Sequence, residues 1–426
     1  MSEQKIAPPR TVGFWGTALF PVNGMIGAGI FALPAVLVAA VGSFAPWMML
    51  VGGVLFMPLI LVFARLASRF DHSGGPVLYG KAAFGSFVGF QAGWARLASS
   101  IVTLAANTHV MVTYLAAIWP VLDQPGVRPV AVGLFIAATV AINLFGMRQS
   151  VGTLGLMTIA KFAPLVLLFG AALWTGASGG PIVLPQFGET ETVVLLTIYA
   201  FIGFEVVTFS AGEMKRPKRD VPLALLTGLA VVTLLYMAVI WAYLAISPGE
   251  SDAPNSLAAA AGEVMGTFGT MVIVFGAAIS IGANTFNGGI GTPRMIYGMA
   301  EQGMLPEWFM RISRWGTPAN AIIFYGVGGI LFGFWAGFEV LAVAGTLSRL
   351  MTYFICSAAL PLIERREGRI GLVDIAISIV ALASTIWIAS HADAQAWTTL
   401  AGILAAGTVL YFFASRQKSG TVTDEA

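Results

Sequence analysis

From residue 12 onward the chain alternates long apolar stretches with short polar connections. An apolar run of about 20 residues is long enough to cross a ~30 Å hydrocarbon core as a helix. Twelve such runs can be marked, at about 13–40, 44–70, 84–119, 128–146, 151–176, 192–212, 222–246, 267–300, 319–336, 338–363, 371–390 and 396–415. The third and eighth are longer than a span needs, which predicts tilt or extension beyond the bilayer. The pattern predicts an all-α integral membrane protein with twelve transmembrane helices.

Two runs contain helix breakers at mid-depth. The first reads NGMIGAGIF over 23–31, with Gly24, Gly27 and Gly29, each costing a helix roughly 1 kcal/mol relative to alanine. The sixth reads YAFIGFEVVTFSAGE, with Gly203 followed by Glu205. Backbone groups exposed to lipid must be satisfied internally, so broken helices survive there only when shielded or lining a cavity. The interrupted runs open two five-helix units, about 13–176 and 192–363, and an odd helix number makes the second unit inverted relative to the first. Interrupted helices at matching positions of two halves point to a transport site. Close packing against neighbouring helices is the other reading of these glycines; their clustering, and the carboxylate at the second break, favour interruption. A dinucleotide loop is excluded, because the spacing is not GxGxxG and no strand precedes it.

The composition agrees: 58% of the 426 residues are hydrophobic and 10% charged, against about 25% charged in soluble domains. The net charge of +2 gives no reason to expect nucleic acid. Its distribution is informative. With a cytoplasmic N-terminus, 18 of the 22 Lys and Arg fall on the inner side: Lys5, Arg10, Arg65, Arg69, Lys81, Arg148, Lys215, Arg216, Lys218, Arg219, Arg294, Arg311, Arg314, Arg365, Arg366, Arg369, Arg416 and Lys418. Outer loops carry acids such as Asp123, Glu189, Glu191, Glu250, Asp252 and Glu263. Residues 1–12 and 416–426 are expected as cytoplasmic tails, 13–363 as the core and 371–415 as two appended helices. The first apolar run is too long for a signal-peptide core and is expected to be retained. One cysteine, Cys356, and three scattered histidines, His72, His109 and His391, supply neither a disulfide framework nor a metal cluster. No nucleophile–base pair or GxxxxGK[ST] loop is present; neither an enzyme nor a cofactor is expected.

Several segments together resemble the amino acid–polyamine–organocation (APC) superfamily of transporters. NGMIGAGIF resembles its glycine-rich first helix, and YAFIGFEVVTFSAGEMKRPKRDVPLA its sixth helix and basic loop. SGGPVLYGKAAFG, RMIYGMAEQGMLPEWF and GTLSRLMTYFICSAALPLIERR resemble the loop between helices 2 and 3, the end of helix 8, and helix 10. The resemblance covers about 15–365. It implies the LeuT-like five-plus-five inverted repeat with discontinuous helices 1 and 6, and an amino acid held near the midplane. By that resemblance Gly27, Ala28 and Gly29 offer amides to the substrate carboxylate, and Met25, Ile26, Tyr199 and Ile202 lie near its ammonium group. The physics agrees. A helix N-terminus favours an anion and a C-terminal end offers carbonyls to a cation, while glycine admits close backbone approach.

Ionisable or polar groups inside spans are functional candidates, because burying them is costly. Lys161 lies midway along the fifth run, where by resemblance a lysine occupies the space that sodium fills in sodium-coupled relatives of the fold. Two roles stand open: a lysine that takes up and releases a proton, or a permanent ammonium bracing broken helix 1 against helices 5 and 8. Glu205 is expected either to couple proton or substrate movement to helix 6 or to cap nearby amides. Tyr199 and Phe201, with Phe204, are aromatic candidates beside Gly203; packing is the alternative for each. Thr103 and Asn107, spaced i and i+4, share a helix face, as do Asn284 and Asn287; interhelical hydrogen bonding is the alternative. Gly288 falls where arginine–agmatine exchangers carry a tryptophan, which removes a surface for stacking a cation. Arg96 is expected to snorkel, His109 to be a hydrogen-bonded interior histidine, and Arg349 to need a partner that the sequence does not name. Lys215–Arg219 is expected to be a solvated loop that touches anionic lipid.

The expectation is therefore a sodium-independent secondary transporter of neutral amino acids working by alternating access, proton-coupled or exchanging. An exporter and an antiporter of cationic amino acids or polyamines are the alternatives, and a non-transporting membrane sensor a remote one.

Overall fold

A computed structural model describes residues 12–70, 75–145, 151–176, 180–209, 211, 214–247, 255–368 and 371–421. Lys5, Arg10, His72, Arg148, Glu250, Asp252 and Arg369 lie outside these residues, as do parts of the expected tails and the side chains of Arg416 and Lys418. The described chain is helical, with two isolated bridges, Val12 to Met214 and Ile312 to Pro318, as its extended pairing.

Seven helical stretches among the described residues are long and apolar enough to cross a bilayer: Gly29–Arg69, Gly155–Trp174, Pro217–Ile246, Ser256–Glu301, Phe338–Arg366, Leu372–Ser390 and Ala394–Ala414. Arg128–Leu144 and Ala319–Trp335 are shorter apolar helices. In chain order the helices are α1 (Phe14–Met25), α2 (Gly29–Val41), α3 (Ala45–Arg69), α4 (Gly75–Phe84), α5 (Ser86–Ala116), α6 (Arg128–Leu144), α7 (Val151–Trp174) and α8 (Phe187–Tyr199). They continue as α9 (Val206–Phe209), α10 (Pro217–Ile246), α11 (Ser256–Glu301), α12 (Ala319–Trp335), α13 (Phe338–Arg366), α14 (Leu372–Ser390) and α15 (Ala394–Thr421).

The long third and eighth runs have local causes. Gly85, at φ +91°, breaks the third run, so that α4 ends at Phe84 and α5 begins at Ser86. The eighth run is lengthened at its start, with α11 kinked at Gly266 (φ 61°). Both are left-handed backbone, which glycine adopts without a Cβ clash.

α5 is the central helix. Almost every residue from Gly89 to Leu115 is buried, including Arg96, Ser99, Ser100, Asn107 and His109. It packs against α13 and α11, while α3 packs against α10, and α1 against α10 and α7. α14 and α15 lie outside α13. The outer faces of the assembly are apolar: Leu156, Leu234 and Leu331 are 69%, 65% and 65% exposed. Such surface is stable against lipid and not against water. At one end of α3, Arg69 pairs with Glu364 and Glu367, and Arg65 with Asp374 at 2.9 Å, tying α3 to α13 and α14.

Candidate functional site

α1 stops at Met25 because Ile26 turns to an extended conformation (φ −76°, ψ 94°), and α2 begins at Gly29. The break frees backbone groups on both sides, and each needs a partner. On the carbonyl side the protein supplies them. Lys161 Nζ donates to the Asn23 and Ile26 carbonyls at 3.0 and 2.8 Å. Asn284 Nδ2 donates to those of Asn23 and Gly24, both at 3.1 Å, and the Tyr236 hydroxyl to that of Met25 at 3.0 Å. On the amide side it does not: Gly27, Ala28 and Gly29 donate to no acceptor among the described residues. The Lys161 Nζ thus sits at the negative end of the α1 dipole, and the positive end of α2 is left open.

The second break separates α8 from α9 by a run of turns over 200–205, with Gly203 at φ +110°. The two breaks meet. A Cβ on Gly24 would collide with the Gly203 carbonyl oxygen, and a Cβ on Gly203 with that of Gly24. Gly29 is also near the second break, though less tightly packed, since its Cβ would lie 3.1 Å from Ala200 Cα.

Beside this crossing is a small cavity of about 70 Å³. Of the fourteen substrate-contacting residues expected from the sequence, twelve line it: Met25, Gly27, Ala28, Gly29, Thr103, Asn107, Tyr199, Ile202, Gly203, Asn284, Asn287 and Gly288. The other two lie elsewhere. Ile26 is fully buried, with its carbonyl held by Lys161, and Phe201 packs on Phe56 and Tyr236 in the apolar core. The carbonyls of Met25 and Ile26, expected to face an ammonium group, are engaged by Tyr236 and Lys161 instead. Tyr199 donates to Asn107 Oδ1 (2.8 Å) and Asn107 to Asn284 Oδ1 (3.1 Å), so one polar chain links α8, α5 and α11 to the carbonyl end of α1.

Glu205 lies behind the cavity, fully buried, and the partner of Arg349 is now evident. Arg349 Nη1 and Arg96 Nε (2.8 Å) both meet Glu205 Oε1, and the Tyr353 hydroxyl donates to Oε2 at 3.0 Å. Ser99 Oγ accepts from Arg349 Nε at 2.9 Å, and Ser100 Oγ from Arg96. Arg96 therefore does not snorkel: α9 and α13 cover it, and its guanidinium lies over the Phe209 ring. His109 Nε2 is 2.9 Å from the Gly333 carbonyl, away from the cavity wall.

The cavity wall also contains Arg96, Ser100, Tyr325 and Arg349, which the sequence reading does not place there. A signal for part of this exists. Arg96, Ser100, Thr103 and Asn107 are spaced four, three and four apart, a single polar stripe along α5. Tyr325 and Arg349 carry no comparable local mark.

The model of the family described as amino acid permease matches residues 12–418. An uncharacterized transporter of Mycobacterium tuberculosis (strain ATCC 25618 / H37Rv) is 26% identical over 427 residues, covering 90% of this chain and 87% of the relative. The glutamate/serine transporter AimA of Bacillus subtilis (strain 168) is 26% identical over 399 residues, covering 84% and 72%. With its interrupted helices, its apolar outer faces and a match over nearly its whole length, the chain belongs to the amino acid permease family, within the APC superfamily.

Proposed function

We propose that this permease is a secondary transporter of amino acids that works by alternating access around the cavity at the two helix breaks. The observation that carries the reading is the crossing at Gly24 and Gly203, with the unpartnered amides of Gly27, Ala28 and Gly29 facing the same cavity. Three converging N–H groups at the positive end of α2 suit an α-carboxylate. The ammonium group then lies toward the α8 break, where Ile202 lines the cavity and its carbonyl accepts no hydrogen bond among the described residues. Glutamate and serine, named for the Bacillus subtilis relative, share these α-groups and differ only beyond them.

The architecture in this reading is twelve spans, with two inverted units of five followed by two appended helices. Matching helices of the two units lie together, α3 with α10, α5 with α11 and α6 with α12, which supports the pairing. The inner-side excess of Lys and Arg supports cytoplasmic termini. Lys161 supplies a cation to the carbonyl end of α1, which supports a cycle that needs no sodium; protons or exchange drive it.

Sequence alone points to a neutral substrate, since the pocket reads as backbone, small residues and aromatics with no acidic cluster apart from Glu205. Arg96 and Arg349 on the wall change that expectation. They also argue against polyamines and cationic amino acids, for which Gly288 removes one surface for stacking a cation.

The test is reconstitution in liposomes with radiolabelled amino acids, with and without a pH gradient, sodium or internal substrate. At least one amino acid is expected to accumulate about tenfold above protein-free vesicles without sodium. If no amino acid moves under any of these gradients, the reading is wrong.

A further inference from the structure

The cavity that the free amides line also has a cationic stretch of wall. Arg96 and Arg349 both line it, and they are 6% and 3% exposed. Among the described residues the one carboxylate that reaches them, Glu205, is shared, with both guanidiniums meeting the same oxygen. Two cations and one anion leave a surplus of one positive charge, and no acid lines the cavity among the described residues. Neither arginine has spent all its donors. Arg96 donates through Nη1 to Ser100, while its Nε is in ion-pair contact with Glu205 without a hydrogen bond, and Arg349 donates through Nε and Nη1; Nη2 of each has no acceptor among the described residues. Thr103 lies on the same wall, and its buried hydroxyl likewise lacks a hydrogen-bond partner.

A buried, uncompensated guanidinium with a free donor is costly unless something anionic completes it. Planar guanidinium groups match a carboxylate in particular, through paired N–H donors. We propose that the Arg96–Arg349 wall binds an anionic side chain, so that the substrate is a dicarboxylic amino acid. This rests on the transport site proposed above and adds the group that the backbone contacts leave unspecified. The α-carboxylate takes the amides of Gly27–Gly29, and the side-chain carboxylate takes the free donors of the two arginines, with Thr103 beside them. Glu205 positions the two guanidiniums and lowers the net charge of the wall without neutralising it. An apolar or amide side chain in the same place would leave charged donors unanswered.

The test is equilibrium binding to the purified full-length protein in detergent, using radiolabelled L-glutamate. L-Aspartate, L-glutamine, L-asparagine, L-serine and L-leucine serve as competitors. Glutamate or aspartate is expected to bind at least about tenfold tighter than its own amide, which has nearly the same shape. Arg96→Gln and Arg349→Gln are each expected to reduce that acid-to-amide ratio about tenfold or more, and the lysine variants to restore part of it. A merely structural role would lower the amount of folded protein without moving the ratio. Amide or leucine binding as tight as glutamate overturns the inference and leaves the transport reading standing. If no amino acid binds at all, the transport site itself is refuted and the inference with it. The wild-type comparison decides even if every arginine variant fails to fold.

Discussion

Replacing Gly203 by alanine is expected to abolish transport. Gly203 stands at φ +110°, a backbone conformation that costs a side-chain-bearing residue on the order of 1–3 kcal/mol. The new methyl group would also collide with the Gly24 carbonyl, which is main chain and cannot swing aside. Overpacking of this kind adds about 1–3 kcal/mol more. The clash can be relieved only by separating the two broken helices, and their contact positions the free amides of Gly27–Gly29. Uptake per folded molecule is expected to fall about 100-fold or more, and Gly24→Ala to behave similarly, because its Cβ meets the Gly203 carbonyl. Size-exclusion chromatography together with liposome uptake separates loss of fold from loss of transport. Near-normal uptake by Gly203→Ala would show that the helices do not cross at these glycines.

The second large effect is at Glu205. Removing its carboxylate leaves Arg96 and Arg349 buried side by side with no counter-charge. Breaking a buried ion pair from one side typically costs about 3–5 kcal/mol. Glu205→Ala should therefore lower the thermal midpoint in detergent markedly. Part of that loss is expected to return in Glu205→Ala/Arg349→Met, where one of the two orphaned cations is gone as well. The comparison of single and double variants isolates the coupling. Strict additivity of the two substitutions would mean that the cluster is not a mutually dependent unit.

How legible the site was depends on whether a feature is local. The breaks in the first and sixth runs could be read because glycines within a few residues interrupt an otherwise continuous apolar pattern. The midspan position of Lys161 likewise marked it as a functional candidate, and its hydrogen bonds to Asn23 and Ile26 are contacts that a bracing role would use. The arginines were harder. Arg96 and Arg349 reach Glu205 from α5 and α13, and nothing in the sequence near Glu205 indicates which distant cations the fold delivers. Arg96 reads as a snorkelling residue from its place in the third run, and only the covering by α9 and α13 makes it interior. The partners of Met25 and Ile26 were invisible for the same reason. Backbone carbonyls carry no sequence identity, so the sequence cannot tell whether a substrate or a tyrosine and a lysine will satisfy them. Phe201 fell on the core side because turns over 200–205 replace the helical period, so spacing from Tyr199 no longer indicates direction.

The most direct measurement of the central claim, that the amides after the first break hold the substrate carboxylate, is thiol protection at Ala28→Cys. The chain's one native cysteine, Cys356, is buried and does not line the cavity, whereas position 28 does, so the new thiol is the one that a reagent entering the cavity meets. The expected result is that a saturating amino acid substrate slows modification by a small methanethiosulfonate reagent about tenfold, while the corresponding decarboxylated amine leaves the rate unchanged. Equal modification rates with and without a substrate that the variant still transports would contradict it.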